Sequence, residues 1–271
     1  MELIVPYDRW SPDVADLQGE FPDARFHVID DLGVAASEQI PAHAHRLYDR
    51  RRAVGLALAR GRVVALTEDH AVPATDWCRQ ILAAHEQPHA VIGGAIENGV
   101  DRPLNWAWYY CDFGRYGQPL AAGPVEYVSD VNVAYKRSAL ESVREVWQEA
   151  YHETTVHWTL RSRGAAIVLD PLMVVYQHRP AMRIADAYRE RMQWGRVFAE
   201  TRAATQGPWK RLGYAVATPV LPAVMKMRVL RHMLRQGRTT AQIARTLPLA
   251  FLLLTGWALG ELSVYVAGGP S

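Results

Sequence analysis

Apolar positions along this chain fall into two kinds of run. Up to about residue 180, short strand-like runs alternate with stretches of helical periodicity. Residues 2–7 (ELIVPY), 25–29 (RFHVI), 62–67 (RVVALT), 89–96 (HAVIGGAI) and 131–136 (VNVAYK) read as buried strands. Ser11 and Asp13 offer helix-start chemistry for a short helix ending near Phe21 and Pro22. Residues 46–60 predict a helix stopped by Gly61, and 75–86, 138–148 and 152–163 predict three more, the last stopped by Gly164. Residues 166–176 give one or two short strands before His178. The stretch from Asp30 to Ala44 reads as loop. Residues 103–128, rich in aromatics and glycine, read as an irregular segment or lid, or else their rings fill a core.

From about residue 181 the pattern changes. Residues 183–204 predict a basic amphipathic helix, and 212–234 and 246–268 predict apolar helices. The last run carries one charge, Glu261, and exceeds the roughly 20 residues that cross a bilayer. It can span, lie in the interface, or pack as a hairpin with 212–234. Residues 1–182 are thus expected to form an α/β domain and 183–271 a membrane-associating helical region. Alternating strands and helices predict a mixed, mainly parallel sheet flanked by helices, with ligands gathering at the carboxyl ends of strands.

Composition narrows the classes. The 271 residues are 49% hydrophobic and 21% charged, which supports a sizeable core. A net charge of +2 is too weak to argue for nucleic acid. The charge is uneven, however, with basic residues dominating between Arg179 and Arg245, which suits an anionic membrane surface. Two cysteines without metal-type spacing, Cys78 and Cys111, fit a reducing compartment better than a disulfide framework. No signal-peptide pattern is legible; the chain opens on the strand-like Leu3-Ile4-Val5.

Chemistry concentrates after the most apolar strand, in Glu68-Asp69-His70. Glu68 and His70, one residue apart on a turn, can both face one divalent ion, with Asp69 free to contact a ribose. A cation there would stabilise a diphosphate leaving group. The bland alternative is a loop with a helix cap.

The run RRAVGLALARGRVVALTEDHAVPATDW (51–77) resembles the middle of family 2 glycosyltransferases, where a helix leads into a strand and a D-x-D motif, then a proline and a tryptophan. Glu68 and His70 stand at the two acidic positions, a departure compatible with metal binding. AVIGGAIENG (90–99), SDVNVAYKRSAL (129–140) and HETTVHWTLRSRGAAIVLDPLMVVYQH (152–178) resemble later segments of the family in the same order. The resemblance implies a GT-A-like fold acting on a nucleotide-diphospho-sugar. It implies Glu153 as the base that deprotonates an acceptor hydroxyl, with Glu149 as fallback. It implies a site for Mn2+ or Mg2+ at Glu68 and His70, with His178 either completing the metal shell or contacting the diphosphate. Asp69, Asp8, Asn132, Lys136 and Arg137 are the expected donor-binding residues. Arg191, Trp194 and Arg196 lie in a segment resembling a late basic-aromatic motif of the family.

Two registers of the start remain open. Residues 2–8 can be the family's opening strand, with 28–31 as its acidic second one. Alternatively they are the second strand and 25–29 the third, which leaves the central first strand missing and backbone unpaired. The expected activity is inverting sugar transfer to a glycolipid, exopolysaccharide or envelope-glycan acceptor at the cytoplasmic membrane face, with membrane lipids held by the C-terminal helices and no nucleic acid partner. The alternative is a non-catalytic subunit of a membrane complex with a degenerate transferase fold. A nucleotidyltransferase is disfavoured, because no Gly-rich phosphate loop with a signature lysine lies near the first strand.

Overall fold

The computed structural model describes residues 1–8, 11–30, 41–204 and 206–267. It is a mixed α/β structure with a central sheet, flanking helices and an apolar C-terminal helix. The elements in chain order are β1 (Leu3–Asp8), α1 (Pro12–Glu20), β2 (Ala24–Ile29), α2 (Pro41–Leu58), β3 (Val63–Thr67), β4 (Ala71–Pro73), α3 (Trp77–Ala84), β5 (Val91–Asn98) and α4 (Pro103–Asp112). There follow β6 (Gly123–Pro124), β7 (Asn132–Lys136), α5 (Arg137–Glu141), α6 (Arg144–Trp147), α7 (Glu153–Ser162), β8 (Ile167–Gln177), α8 (Ile184–Ala204), α9 (Pro208–Ala217), α10 (Leu221–Arg235) and α11 (Thr240–Ala267). The chain divides into two compact units, residues 1–95 with 121–175 and residues 96–120 with 176–271.

In the first unit β1 and β2 pair in parallel, from Leu3 opposite Ala24 to Asp8 opposite Ile29, and stand as their own sheet. The larger sheet has the order β3-β7-β5-β8-β4, with β6 beside β8. Strand β7 runs antiparallel to both β3 and β5, and β6 antiparallel to β8. Helix–strand alternation pointed to parallel neighbours; β7 instead runs antiparallel between β3 and β5. The reversal matters for chemistry. Thr67 lies opposite Asn132, so Glu68, just past the end of β3, comes beside the residues that lead into β7.

The core of this unit joins Ala53 and Leu56 of α2, Val133 and Tyr135 of β7, and Trp147, Tyr151, Val156 and Leu160. Each fully buried aliphatic side chain of this kind contributes roughly 1.5–3 kcal/mol. Asn132 ties the strands together: its Nδ2 donates to the carbonyls of Ala95 and Met173 at 2.8 Å each, and its Oδ1 accepts from Trp77 Nε1 at 2.8 Å. A Cβ on Gly94 would stand 2.1 Å from the Met173 oxygen and 2.3 Å from Asn132 Nδ2. The glycine pair therefore serves close strand approach.

The second unit is helical. The segment expected as a lid contains α4, whose Ala107, Trp108, Tyr109 and Tyr110 are buried. The Arg179 guanidinium lies 3.7 Å from the centre of the Trp108 ring, and Tyr109 donates to the Ile96 carbonyl at 2.9 Å. These rings are core of this unit. The expected helix 212–234 is two helices joined by a 3-10 turn, Thr218–Val220, where Pro219 and Pro222 lack the N–H that a continuous helix needs. Helices α8 and α11 pack backbone to backbone. A Cβ on Gly260 would meet the Met192 oxygen at 2.0 Å, and one on Gly195 the Trp257 oxygen at 2.1 Å. Glu261 is buried, accepts from Trp257 Nε1 at 2.5 Å and Tyr265 OH at 3.2 Å, and faces Arg202 at 3.7 Å. Among the described residues α11 alone is long and apolar enough to cross a membrane, and half of its most apolar window is buried.

Candidate active site

Four carboxylates of the first unit converge on one guanidinium. Helix α2 carries Asp49 and Arg52 one turn apart, on the stripe that continues into buried Ala53 and Leu56. Arg52 Nη2 lies 2.6 Å from Asp130 Oδ2 and 3.4 Å from Glu68 Oε1, and Arg52 Nη1 lies 3.7 Å from Asp49 Oδ1. Asp130 arrives through the turn before β7 and Glu68 at the end of β3, side by side because of the antiparallel register. Glu153 is the first residue of α7, preceded by His152, whose Nε2 is 3.0 Å from Asp49 Oδ2.

The electrostatics follow from this crowding. Burial first, then the like charge of Asp130, pushes the Glu153 carboxyl up to about 7; Arg52 pulls the other way without cancelling it. Burial likewise pushes Asp49 up to about 6 against the opposing pull of His152 and Arg52. Burial works to lower the Arg52 pKa, but Asp130, Glu68 and Glu153 outweigh it and the group is raised, firmly cationic. One positive charge thus stands among four acids, and protons relieve the excess at Glu153 and Asp49 near neutral pH. A carboxyl that titrates near 7 is suited to take or give a proton.

Behind this cluster lies a neutral wall. Tyr135 OH is 2.5 Å from Tyr151 OH and 2.7 Å from His157 Nε2, all buried. Burial lowers His157 to about 4 and raises Tyr151, so the trio stays uncharged and fixes the α7 end against β7.

The acidic turn has its own geometry. Ala71 N–H donates to the Glu68 carbonyl at 3.0 Å, so Asp69 and His70 occupy the corners of a closed four-residue turn. The Asp69 side chain is exposed, and His70 Nδ1 lies 3.9 Å from Asp69 Oδ1. Among the described residues no group of three or more His, Cys, Asp or Glu side chains is placed to hold a metal ion. At this turn a divalent cation would have the Glu68 carboxylate, which faces Arg52, and the His70 imidazole as its protein donors. That donor set suits an ion that takes the rest of its shell from phosphate and water, not a closed protein cage.

The other expected residues have partners of their own. His178 belongs to the second unit and packs on Gly99, where a Cβ would come within 2.2 Å of its Nε2. Asp8 is buried and held by Arg51, with Nε to Oδ2 at 2.7 Å. Asn132 is buried and engaged at both ends of its amide. Lys136 Nζ donates to the Gln87 carbonyl at 2.6 Å, and Arg137 to the Ala59 carbonyl. Glu149 is exposed near Arg50 at 3.7 Å. In the second unit Arg191 is buried against Asp112 at 2.6 Å, Trp194 Nε1 is 3.3 Å from Glu190, and Arg196 Nε donates to Ser263 at 3.0 Å. Of the expected residues, Glu68 and Glu153 belong to the acid cluster. Asp49, Arg52, Asp130 and His152 were not singled out by sequence. Their signal was present: Asp49, Arg52, Ala53 and Leu56 follow the i, i+3, i+4, i+7 pattern of a buried stripe that carries two charges.

No protein-family model and no curated protein matches the chain. Among solved structures it is similar to the mannosyltransferase PcManGT from Pyrobaculum calidifontis in complex with GDP-Man and Mn2+, at 16% identity and a TM-score of 0.42, over 100% of this chain and 67% of that one. It is also similar to A197 from STIV, at 10% identity and a TM-score of 0.37, over 66% of this chain and 87% of that one.

Proposed function

We propose that the chain is an inverting, family 2-type glycosyltransferase that moves a sugar from a nucleotide-diphospho-sugar to a hydroxyl acceptor, with Glu153 as general base. The observation that supports this most is the Glu153 carboxyl at the start of α7, pushed up to about 7 by burial and Asp130, in the cluster where Arg52 meets Asp130 and Glu68. In the proposed step the acceptor oxygen bonds to the anomeric carbon as its proton passes to Glu153. The bond from that carbon to the diphosphate oxygen breaks, and its electron pair leaves with the diphosphate. Attack opposite the leaving group inverts the anomeric centre. Arg52 holds Glu68 and Asp130 in place and limits the negative charge that the donor phosphates meet. Glu68 and His70 are the residues that would hold Mn2+ or Mg2+, which would neutralise charge on the leaving diphosphate. The acceptor class proposed is a glycolipid, exopolysaccharide or envelope glycan at the cytoplasmic membrane face.

The test is a calorimetric screen of nucleotide-diphospho-sugars, then transfer assays on the one that binds. Glu153→Gln is expected to keep donor affinity and lose transfer by about 100-fold or more. Equal transfer by this variant rules Glu153 out as the base. His70→Ala is expected to weaken the response to Mn2+; an unchanged manganese titration removes His70 from any metal site. The internal engagement of Asp8 and Asn132 favours a second reading, a non-catalytic subunit of a membrane complex. Failure of every donor to bind the full chain would support it.

A further inference from the structure

Helices α9 and α10 carry exposed apolar side chains that the interior of the second unit does not use. On α9 these are Trp209, Leu212 and Val216, with Trp209 84% and Val216 71% exposed. On α10 they are Val224, Met227 and Leu234, and Val220 is exposed in the turn between. Within each helix the spacing (i, i+3, i+7 and i, i+3, i+10) confines them to a stripe of roughly 80° or less at 3.6 residues per turn. The opposite faces are committed inward. Tyr214 and Ala215 pack on Ala199, Val264 and Tyr265, while Pro222, Val229 and Met233 are buried. The stripe is therefore not an exposed part of the unit's own core.

The charge around the stripe is one-sided. No Asp or Glu lies between Glu200 and Glu261, a stretch with nine Lys and Arg. On α10 Arg228, Arg231 and Arg235 are exposed; at 3.6 residues per turn Arg231 falls within the arc of Val224, Met227 and Leu234, and Arg228 and Arg235 flank it. Cations in and beside an exposed aliphatic stripe on α10, with a second exposed apolar stripe on α9, fit an interface with anionic headgroups outside and acyl chains beneath. A second copy of this face would bring like charges together. Nucleic acid would satisfy the cations but would leave valine, leucine and methionine side chains against a polar backbone.

We infer that the α9–α10 face docks the protein on a bilayer of anionic lipids, with the two helices lying in the interface plane. This is distinct from a crossing by α11, whose glycine face and Glu261 are consumed by packing on α8 and by Arg202. It does not rest on the transferase reading. Vesicle binding and sugar transfer are separate measurements, so the failure of either leaves the other standing.

The experiment is co-sedimentation of the full chain with vesicles of phosphatidylcholine alone and of phosphatidylcholine mixed with phosphatidylglycerol. Binding to the mixed vesicles, weakened by salt, is expected. Each cation near an anionic surface changes partitioning about fivefold, so Arg231→Gln/Arg235→Gln is expected to lose about 30-fold. Val216→Gln/Met227→Gln is expected to weaken the binding that survives high salt. All four positions are exposed, and circular dichroism checks that the variants fold. Equal binding to both vesicle types overturns the proposal, as does binding that neither double variant alters. So does extraction from cell membranes by detergent alone for wild type and variants, which would assign a crossing helix. DNA binding lost on charge removal but kept in the apolar variant, without vesicle binding, would assign nucleic acid instead. Self-association lost in the apolar variant, again without vesicle binding, would assign a second copy.

Discussion

Replacing Glu153 with glutamine should separate function from stability in a pH-dependent way. An unfolded glutamate titrates near 4.5, whereas Glu153 in the fold titrates near 7, because burial and Asp130 disfavour its charge. Between those values the native protein holds a proton that the unfolded chain has released. The stability this group contributes is therefore fully present below about pH 4.5 and is lost as pH rises to about 7. Above that the carboxylate is charged in both states, and the native state bears a constant penalty. At about 1.36 kcal/mol per unit the shift sets an upper bound near 3 kcal/mol, and sharing of the proton load with Asp49 makes about 1–3 kcal/mol the working range. Glutamine is neutral at every pH and nearly the same shape. Glu153→Gln should therefore melt a few degrees to about 10 °C higher than wild type at pH 8, and together with wild type near pH 4.5. Arg52 keeps Asp130 and Glu68 as partners in the variant, so no new unpaired charge offsets the gain. Thermal melts monitored by circular dichroism across this range decide the matter. A variant no more stable at pH 8, or more stable by the same amount at every pH, would refute the claim that burial and Asp130 hold a proton on Glu153.

Further outcomes follow from the same geometry. With a donor in hand, log kcat/KM should rise with a slope near one below pH 7 and level off above it, since the base must be unprotonated; a flat profile from pH 5 to 8 contradicts that role. Arg52→Met should destabilise by about 2–4 kcal/mol, because it takes away the cation 2.6 Å from Asp130 and leaves Asp49 only His152; Arg52→Lys, which keeps charge but not the fork, should fall between, as measured by urea midpoints. Gly260→Val should destabilise by about 3 kcal/mol or more, since its side chain must enter the Met192 carbonyl; a melt unchanged from wild type would deny close α8–α11 packing.

Periodicity determined much of this protein. The strands 2–7, 25–29, 62–67 and 131–136 and the helices from 152 and 183 lie within a few residues of the observed elements, since each carries its own hydrophobic pattern and stop signal. The loop assigned from Asp30 to Ala44 falls partly outside the described residues, and α2 already begins at Pro41. The sequence also placed Glu68 at a strand end and Glu153 at a helix start, because both follow from local boundaries. Strand direction was not legible: β7 pairs antiparallel through contacts with residues some 40 to 70 positions away, and no local pattern encodes that choice. The aromatic segment 103–128 reads by sequence as lid or core, and α4 places Trp108, Tyr109 and Tyr110 inside the second unit. The acid cluster needed tertiary structure most. Asp49, Arg52, Glu68, Asp130 and Glu153 are spread over about 100 residues, and three elements and a turn bring them together. A carboxylate's pKa depends on that burial and on those neighbours, so the proton-handling character of Glu153 is decided by the fold and not by its letter in the chain.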